Sequence, residues 1–206
     1  MHTLEKTDKA PLPGLAAKKK QRTRILLAEA AAALFYERGY DATTIDDIAA
    51  AVEISPRTFY RYFPTKEDLV VAMGQTSLES FFAALEARPP AEPLTIAVQA
   101  AVDEALAPGW EDADGFRSFM ALIRDTPAFR ARWVEEAFDN RYLLAAVIAG
   151  RTDGDPLGLR NLLIAGAITM AINTAVQSWA DQDIESRPAV YVRRALTELS
   201  MPLLGP

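Results

Sequence analysis

Cysteine is absent from the 206 residues, which removes disulfide cross-links and thiolate metal sites together. Histidine is nearly absent. The single one, His2, lies in the N-terminal segment, so neither a histidine base nor a histidine metal ligand is expected, and no metal or cofactor is predicted. The acid pairs Glu135/Glu136 and Asp112/Asp114 have no His, Cys or glycine-rich phosphate loop beside them, so no catalytic residues are assigned and an enzyme is not expected. No stretch alternates apolar and polar residues over a useful length, which predicts an all-α chain. The N-terminus lacks the apolar core of a signal peptide. The longest apolar run, Leu162 to Ile172, is too short to span a bilayer. A cytoplasmic protein with no membrane partner is the expectation, and no internal repeat is visible.

Half of the residues are hydrophobic, enough for a sizeable core. The net charge of −6 argues against a polyanion partner, but its distribution does not. Residues 1–75 carry 11 Lys/Arg and 10 Asp/Glu, net +1, whereas residues 76–206 carry 11 and 18, net −7. Lys18, Lys19, Lys20, Arg22 and Arg24 fall within seven residues that contain no acid. A local cluster outweighs a distant total, because salt screens charges beyond about 8 Å. The alternative for such a run is a solvated tail.

Residues 1–17, with Pro11, Pro13 and Gly14 and no periodicity, read as a flexible arm. Lys18 to Arg38 reads as a helix with Ile25, Ala28, Ala32 and Phe35 in one stripe, ended by Gly39. Thr43 to Lys66 then reads as two short helices around a tight turn. Thr44 caps the first with Asp47 three residues on, and Ile45, Ile48, Ala49 and Val52 form its apolar face. Ser55 caps the second, Pro56 to Phe63, with proline at the first helical position. Phe59 and Phe63, four apart, look inward, while Arg57, Thr58, Tyr60, Arg61 and Tyr62 project polar groups suited to phosphates and base edges. Thr65, with Asp68, caps a helix reaching Ala87 that joins this unit to the rest of the chain. Further helices are expected at Leu94–Leu106, 115–124, 127–149, 157–180 and 188–199, with an acidic loop at Pro108–Gly115 and a turn at Arg151–Asp155. Three parts result: an arm (1–17), a three-helix unit with a helix-turn-helix (18–65) and a larger helical bundle (66–206).

The order of a basic arm, a helix, Gly39-Tyr40, Thr43-Thr44-Ile45-x-x-Ile48-Ala49 and the run Ser55-Pro56-Arg57-Thr58-Phe59-Tyr60-Arg61-Tyr62-Phe63-Pro64-Thr65-Lys66-Glu67-Asp68-Leu69 resembles the DNA-binding domain of TetR-family transcriptional regulators, over about residues 20–70. The remainder is similar in helix number and length, and the run around Arg57–Asp68 is similar to members with an acyl-CoA-like ligand domain. The resemblance implies that Pro56–Phe63 enters the major groove, with Arg57 and Arg61 forking onto bases and Thr58 on a base or phosphate. It places Thr44, Tyr60, Tyr62 and Lys66 on phosphates, and Lys18, Lys19, Lys20, Arg22 and Arg24 on the backbone or minor groove. Core packing is the alternative for both tyrosines, and a solvated face for both arginines. In one position the chain departs from the pattern: Glu53 stands where the family has glycine in the turn. A left-handed backbone there strains a non-glycine residue by about 1 kcal/mol.

For the bundle the resemblance implies a hydrophobic small-molecule ligand and a homodimer formed by the last two long helices, hence a palindromic operator. Phe81, Phe82, Phe119, Ile123, Phe129, Trp133, Phe138 and Met170 are candidate cavity residues, with Asn173, Arg124 and Gln177 as polar anchors; the alternative for each is ordinary core or surface. Ala165, Gly166, Ala167, Ala171 and Ala175, then Tyr191, Ala195 and Leu199, are candidates for the dimer contact. A monomer core is the alternative. The function expected is a ligand-released repressor. Its rival is a helical protein-interaction module that has lost specific DNA binding, which Glu53 and the net acidity favour.

Overall fold

The computed structural model describes residues 15–111, 113–152, 154–182 and 186–200; among these, side chains are described except at 15–18, 108–111 and 200. The described residues form nine helices and no strand: α1 (Leu15–Arg38), α2 (Ile45–Ala51), α3 (Pro56–Tyr60), α4 (Leu69–Ala87), α5 (Leu94–Glu111), α6 (Ala113–Asp125), α7 (Pro127–Thr152), α8 (Leu159–Asp181) and α9 (Pro188–Ser200). The all-α expectation holds. The first fourteen residues of the expected arm lie outside the described residues, whereas 15–17 already belong to α1.

Local signals account for most boundaries. Thr44 accepts the Asp47 amide through Oγ1 at 3.1 Å, and Asp47 accepts the Thr44 amide at 2.9 Å, a complete capping box. The end of α2 is equally explicit. The Ile54 amide donates to the Ala49 carbonyl at 3.0 Å and the Glu53 amide to the Ala50 carbonyl at 3.1 Å, the paired bonds of a Schellman stop. Glu53 occupies its left-handed position with φ of 56°, the one non-glycine residue with positive φ among those described. Glu53→Gly is therefore expected to raise stability by up to about 1 kcal/mol, read as a higher denaturation midpoint at unchanged m-value. Ser55 then caps α3, its Oγ accepting the Thr58 amide at 3.1 Å, and Pro56 opens the helix.

Several boundaries differ from the sequence reading. Helix α3 is regular only to Tyr60, then continues as turns through the Tyr62 and Phe63 amides onto the Phe59 carbonyl. Thr65 and Asp68 make the expected reciprocal bonds, but α4 becomes regular only at Leu69. The acidic loop at Pro108–Gly115 is replaced by helix: α5 runs through Pro108 to Glu111 and α6 starts at Ala113. An internal proline removes one amide donor and strains one turn, and here that does not stop the helix. Arg151 and Thr152 extend α7 rather than forming a turn. In α1 the buried stripe is Leu27, Ala28, Ala31, Leu34 and Phe35. Ile25 and Ala32 are only half-buried, because the alanine-rich helix carries two overlapping apolar registers and packing on α2 and α4 selects one.

Phe59 and Phe63 are fully buried, worth about 1.5–3 kcal/mol each, and they hold the short α3 that could not persist alone. Helix α4 packs on α1, α5 and α7, so it joins the three-helix head to the bundle. At the seam, the rings of Phe35, Tyr40 and Phe129 meet at 4.7–5.5 Å between centroids. Helix α8 is, by length and composition, the one described helix able to cross a membrane. Its Ile164, Ala165, Ile168, Ala171 and Ala175 are buried in the chain's own core, against α7 and α9.

Candidate nucleic-acid interface

Helix α3 presents Arg57, Tyr60 and Arg61 outward, all exposed, with Tyr60 at 55 %. Arg57 and Arg61 lie one turn apart on a helix anchored by Phe59 beneath, a fixed fork of guanidinium donors. The Arg61 guanidinium lies 5.3 Å from the Tyr62 ring centre, and its Nη2 reaches the Tyr62 hydroxyl at 3.4 Å. Hydrogen bonds from Thr23 and then Arg61 hold the Tyr62 phenol below its ordinary pKa. Tyr62 is half-buried and bridges α1 to the end of α3. Thr58 is half-buried, with its hydroxyl 2.9 Å from that of Ser55. Thr44 is exposed at the α2 N-terminus, its hydroxyl donating to Asp47 at 2.6 Å. Lys19, Lys20 and Arg22 are exposed on α1, and the Lys18 side chain lies outside the described residues.

Two expected contacts are turned inward. Lys66 donates through Nζ to the carbonyls of Tyr40 (2.8 Å) and Thr43 (2.9 Å), with the Tyr40 ring centre 3.8 Å away. It pins the α1–α2 connection, in which Tyr40 and Thr43 lie beyond the end of α1 at Arg38. Arg24 donates to the Tyr62 carbonyl at 2.7 Å and lies 4.4 Å from the Phe63 ring centre. Burial lowers its pKa against the opposing pull of Asp68 and Glu136. Both side chains hold the reading head in shape from within.

Beneath the head, α4 to α8 line a partly open cavity of about 650 Å³. Phe81, Phe82, Phe119, Trp133 and Asn173 line it as expected. The Trp133 indole donates to Asn173 Oδ1 at 2.7 Å and stands edge-on to Phe119 at 5.7 Å. Six candidates are elsewhere. Ile123 is buried core, outside the lining. Phe129 is fully buried at the Phe35–Tyr40 seam. Met170 is 60 % exposed on the outer face of α8. Phe138 is also exposed, under the Arg141 guanidinium, while Arg124 and Gln177 meet at Asp181 on the surface. Lining residues that were not cavity candidates from the sequence include Arg24, Gly74, Arg132 and Glu136. Arg132 pairs with Asp68 at 2.8 Å and Glu136 at 3.2 Å. Burial alone would raise the Asp68 pKa, but bonds from Arg132 and Thr65 hold it below the ordinary value.

The alanines expected at a dimer contact, Ala165, Ala171 and Ala175, face the chain's own core. The outward face of α8 is instead Leu159, Leu163, Gly166 and Met170. The three large side chains are exposed, and a Cβ at Gly166 would meet nothing within 4 Å. Small side chains pack equally well within one chain, so composition alone did not settle the direction.

A helix-turn-helix with an arginine-bearing second helix, carried on a helical bundle with a cavity, is the architecture of a DNA-binding regulator. Residues 27–73 match the family described as bacterial regulatory proteins, tetR family, and residues 92–203 match the MftR C-terminal domain. The chain belongs to the TetR family of transcriptional regulators, which are not enzymes. The transcriptional regulator TcmR of Streptomyces glaucescens is 36 % identical over 189 residues, covering 87 % of this chain and 84 % of that protein. The transcriptional repressor DhaR of Mycobacterium sp. strain GP1 is 38 % identical over 60 residues, 29 % of this chain and 28 % of that one. Two solved TetR-family regulators share the fold. One, from Mesorhizobium loti, has a TM-score of 0.55 at 19 % identity over 88 % of this chain and 96 % of that. Another, from Streptomyces coelicolor, has 0.53 at 22 % over 91 % and 81 %.

Proposed function

We propose that this regulator is a cytoplasmic homodimeric repressor that binds a palindromic operator and leaves it when a hydrophobic small molecule occupies the bundle cavity. The observation that carries the DNA half is the exposed Arg57–Arg61 pair on a helix whose opposite face, Phe59, is fully buried. Arg57 and Arg61 read base edges. Thr44, Thr58, Tyr60 and Tyr62 fix the register on phosphates, and Lys18, Lys19, Lys20 and Arg22 add salt-dependent backbone attraction. Lys66 and Arg24 shape the head instead of touching DNA. The outward stripe Leu159–Leu163–Gly166–Met170, with α9 beside it, supports a two-fold contact in which Gly166 allows close helix approach.

The cavity supports the ligand half. Phe82, Phe119 and Trp133 supply apolar walls, and Asn173 a polar edge. The lining cations are already engaged, Arg132 by Asp68 and Glu136, and Arg24 by the Tyr62 carbonyl. The apolar body of an acyl-CoA-like ligand therefore finds a place here, whereas its phosphates find no uncommitted cation among the described lining residues. An uncharged apolar or aromatic effector fits best. Occupancy that favours a dimer with wrongly spaced reading helices releases the DNA. Titration of candidate effectors into a protein–operator gel shift is expected to free the duplex; tight effector binding at unchanged operator affinity would contradict the release mechanism.

A further inference from the structure

We infer that Asn140 and Thr169 form the polar anchor of the cavity, and that the molecule they hold is neutral, apolar in body and bears a carbonyl or hydroxyl oxygen. The inference rests on the cavity being the effector site and adds the chemistry by which that site chooses its occupant. Trp133, Ala137, Asn140 and Leu144 line the cavity from α7, at the spacing that puts residues on one helical face. Thr169 and Asn173 line it from α8. The bond from the Trp133 indole to Asn173 fixes the register of the two helices. Asn140 lies seven residues onward along α7, about 10 Å, and Thr169 four residues back along α8, about 6 Å. Helix α8 begins soon after α7 ends and packs back along it, so both steps lead the same way. That way is outward from the head, because Phe129 in the first turn of α7 meets Phe35 and Tyr40. Asn140 and Thr169 therefore share one stretch of wall.

The stronger polar groups of the lining are committed. Asn173 accepts from Trp133 and donates through Nδ2 to the Thr169 carbonyl at 2.9 Å. Arg132 is paired with Asp68 and Glu136, Arg24 holds the Tyr62 carbonyl, and Glu79 accepts from Gln75 at 2.9 Å. The Asn140 amide and the Thr169 hydroxyl are different. Both residues are half-buried, and neither side chain has a hydrogen-bond partner among the described residues. An amide without a partner can turn either its N–H donors or its oxygen to a ligand, and a hydroxyl both donates and accepts. The pair suits a ketone oxygen, which accepts from both, and equally a hydroxyl, which accepts and donates. Charge is disfavoured: every charged lining group already has a partner, and a bound ion would lose its hydration without gaining a counter-charge. Phe82 and Phe119 supply apolar surface for the rest of the molecule.

A matched tricyclic series provides the test. Fluorene carries no oxygen, 9-fluorenone adds one carbonyl, and fluorene-9-carboxylate adds a charge. Binding to the full-length protein without DNA is read by equilibrium dialysis. The wild-type chain is expected to hold 9-fluorenone more tightly than fluorene, by roughly 2- to 12-fold for each hydrogen bond the carbonyl accepts. Fluorene-9-carboxylate is expected to bind at least about tenfold more weakly than 9-fluorenone. Asn140→Leu is expected to cost 9-fluorenone roughly fivefold or more and to leave fluorene within about twofold of its wild-type affinity. Thr169→Val is expected to act in the same direction. Binding of 9-fluorenone no tighter than that of fluorene, a preference that survives both substitutions, or a carboxylate that binds best overturns the inference. Should the variants fail to fold, the carbonyl stretch of 9-fluorenone bound to the wild-type chain decides the matter. Hydrogen bonding lowers that stretch below its value in hexane, and a stretch at the hexane value overturns the inference. A duplex selected by the wild-type protein from a random-sequence library separates this inference from the reading beneath it. Selective binding that leaves the duplex occupied sinks the release reading and upholds the anchor, whereas unselective binding that frees the duplex sinks the anchor alone.

Discussion

Arg61→Ala is expected to weaken operator binding by about 1–3 kcal/mol per half-site, roughly 5- to 150-fold each, and to relax preference at one base position in each half. The side chain is exposed at the end of α3, and the fully buried Phe59 and Phe63 anchor the backbone that carries it. Truncation therefore removes a contact without disturbing the fold. The effect enters twice because a two-fold dimer presents two reading helices. Arg57→Ala is expected to act in the same way at a neighbouring position. Selection of duplexes by the variant, compared base by base with the wild type, measures the change. A uniform loss across all sequences would reassign Arg61 to a phosphate, and unchanged specificity would remove it from the interface.

Lys66→Met is expected to lower the stability of the free protein by about 3 kcal/mol or more. Charged hydrogen bonds contribute about 1.5–3 kcal/mol each, and Lys66 makes two, to the carbonyls of Tyr40 and Thr43. Methionine keeps the aliphatic stem and removes both charged bonds, leaving the Tyr40 carbonyl only the Thr43 amide at 3.3 Å. The measurement is chemical denaturation without DNA. A residue that clamped a phosphate would behave in the opposite manner: stability would hold, operator affinity would fall, and the salt slope would drop by about one. The two outcomes do not overlap, so one variant separates a structural lysine from a DNA contact.

Features that depend on a few neighbouring residues were legible in the sequence. The Thr44–Asp47 box and the Ser55–Pro56 start each follow from side chains within four positions of one another, whereas the left-handed turn at Glu53 was implied only by the resemblance, through the glycine the family has there. The outward placement of Arg57, Tyr60 and Arg61 was legible because a short helix buries every fourth residue and exposes the rest. The inward turn of Lys66 and Arg24 was not legible because their partners lie 23 to 38 residues away, and a basic side chain gives no local sign of turning inward. The same limit moved Ile123, Phe129 and Met170 out of the cavity: apolar character says that a side chain seeks cover, not which surface supplies it. Gly74 carried a usable signal, since an isolated glycine within an apolar helix commonly marks a close approach. What it approaches, the edge of Trp133, is set by the crossing of α4 and α7 and is visible only in three dimensions.

The central claim, that α3 is a DNA-reading helix and not the relic of one, is tested most directly by anisotropy titration of the wild-type protein on its selected duplex and on a scrambled duplex of the same composition, over a range of salt. The account predicts a preference of at least about a thousandfold for the selected duplex, with both affinities falling steeply as salt rises. Equal affinity for the two duplexes would contradict it and leave the chain a helical interaction module.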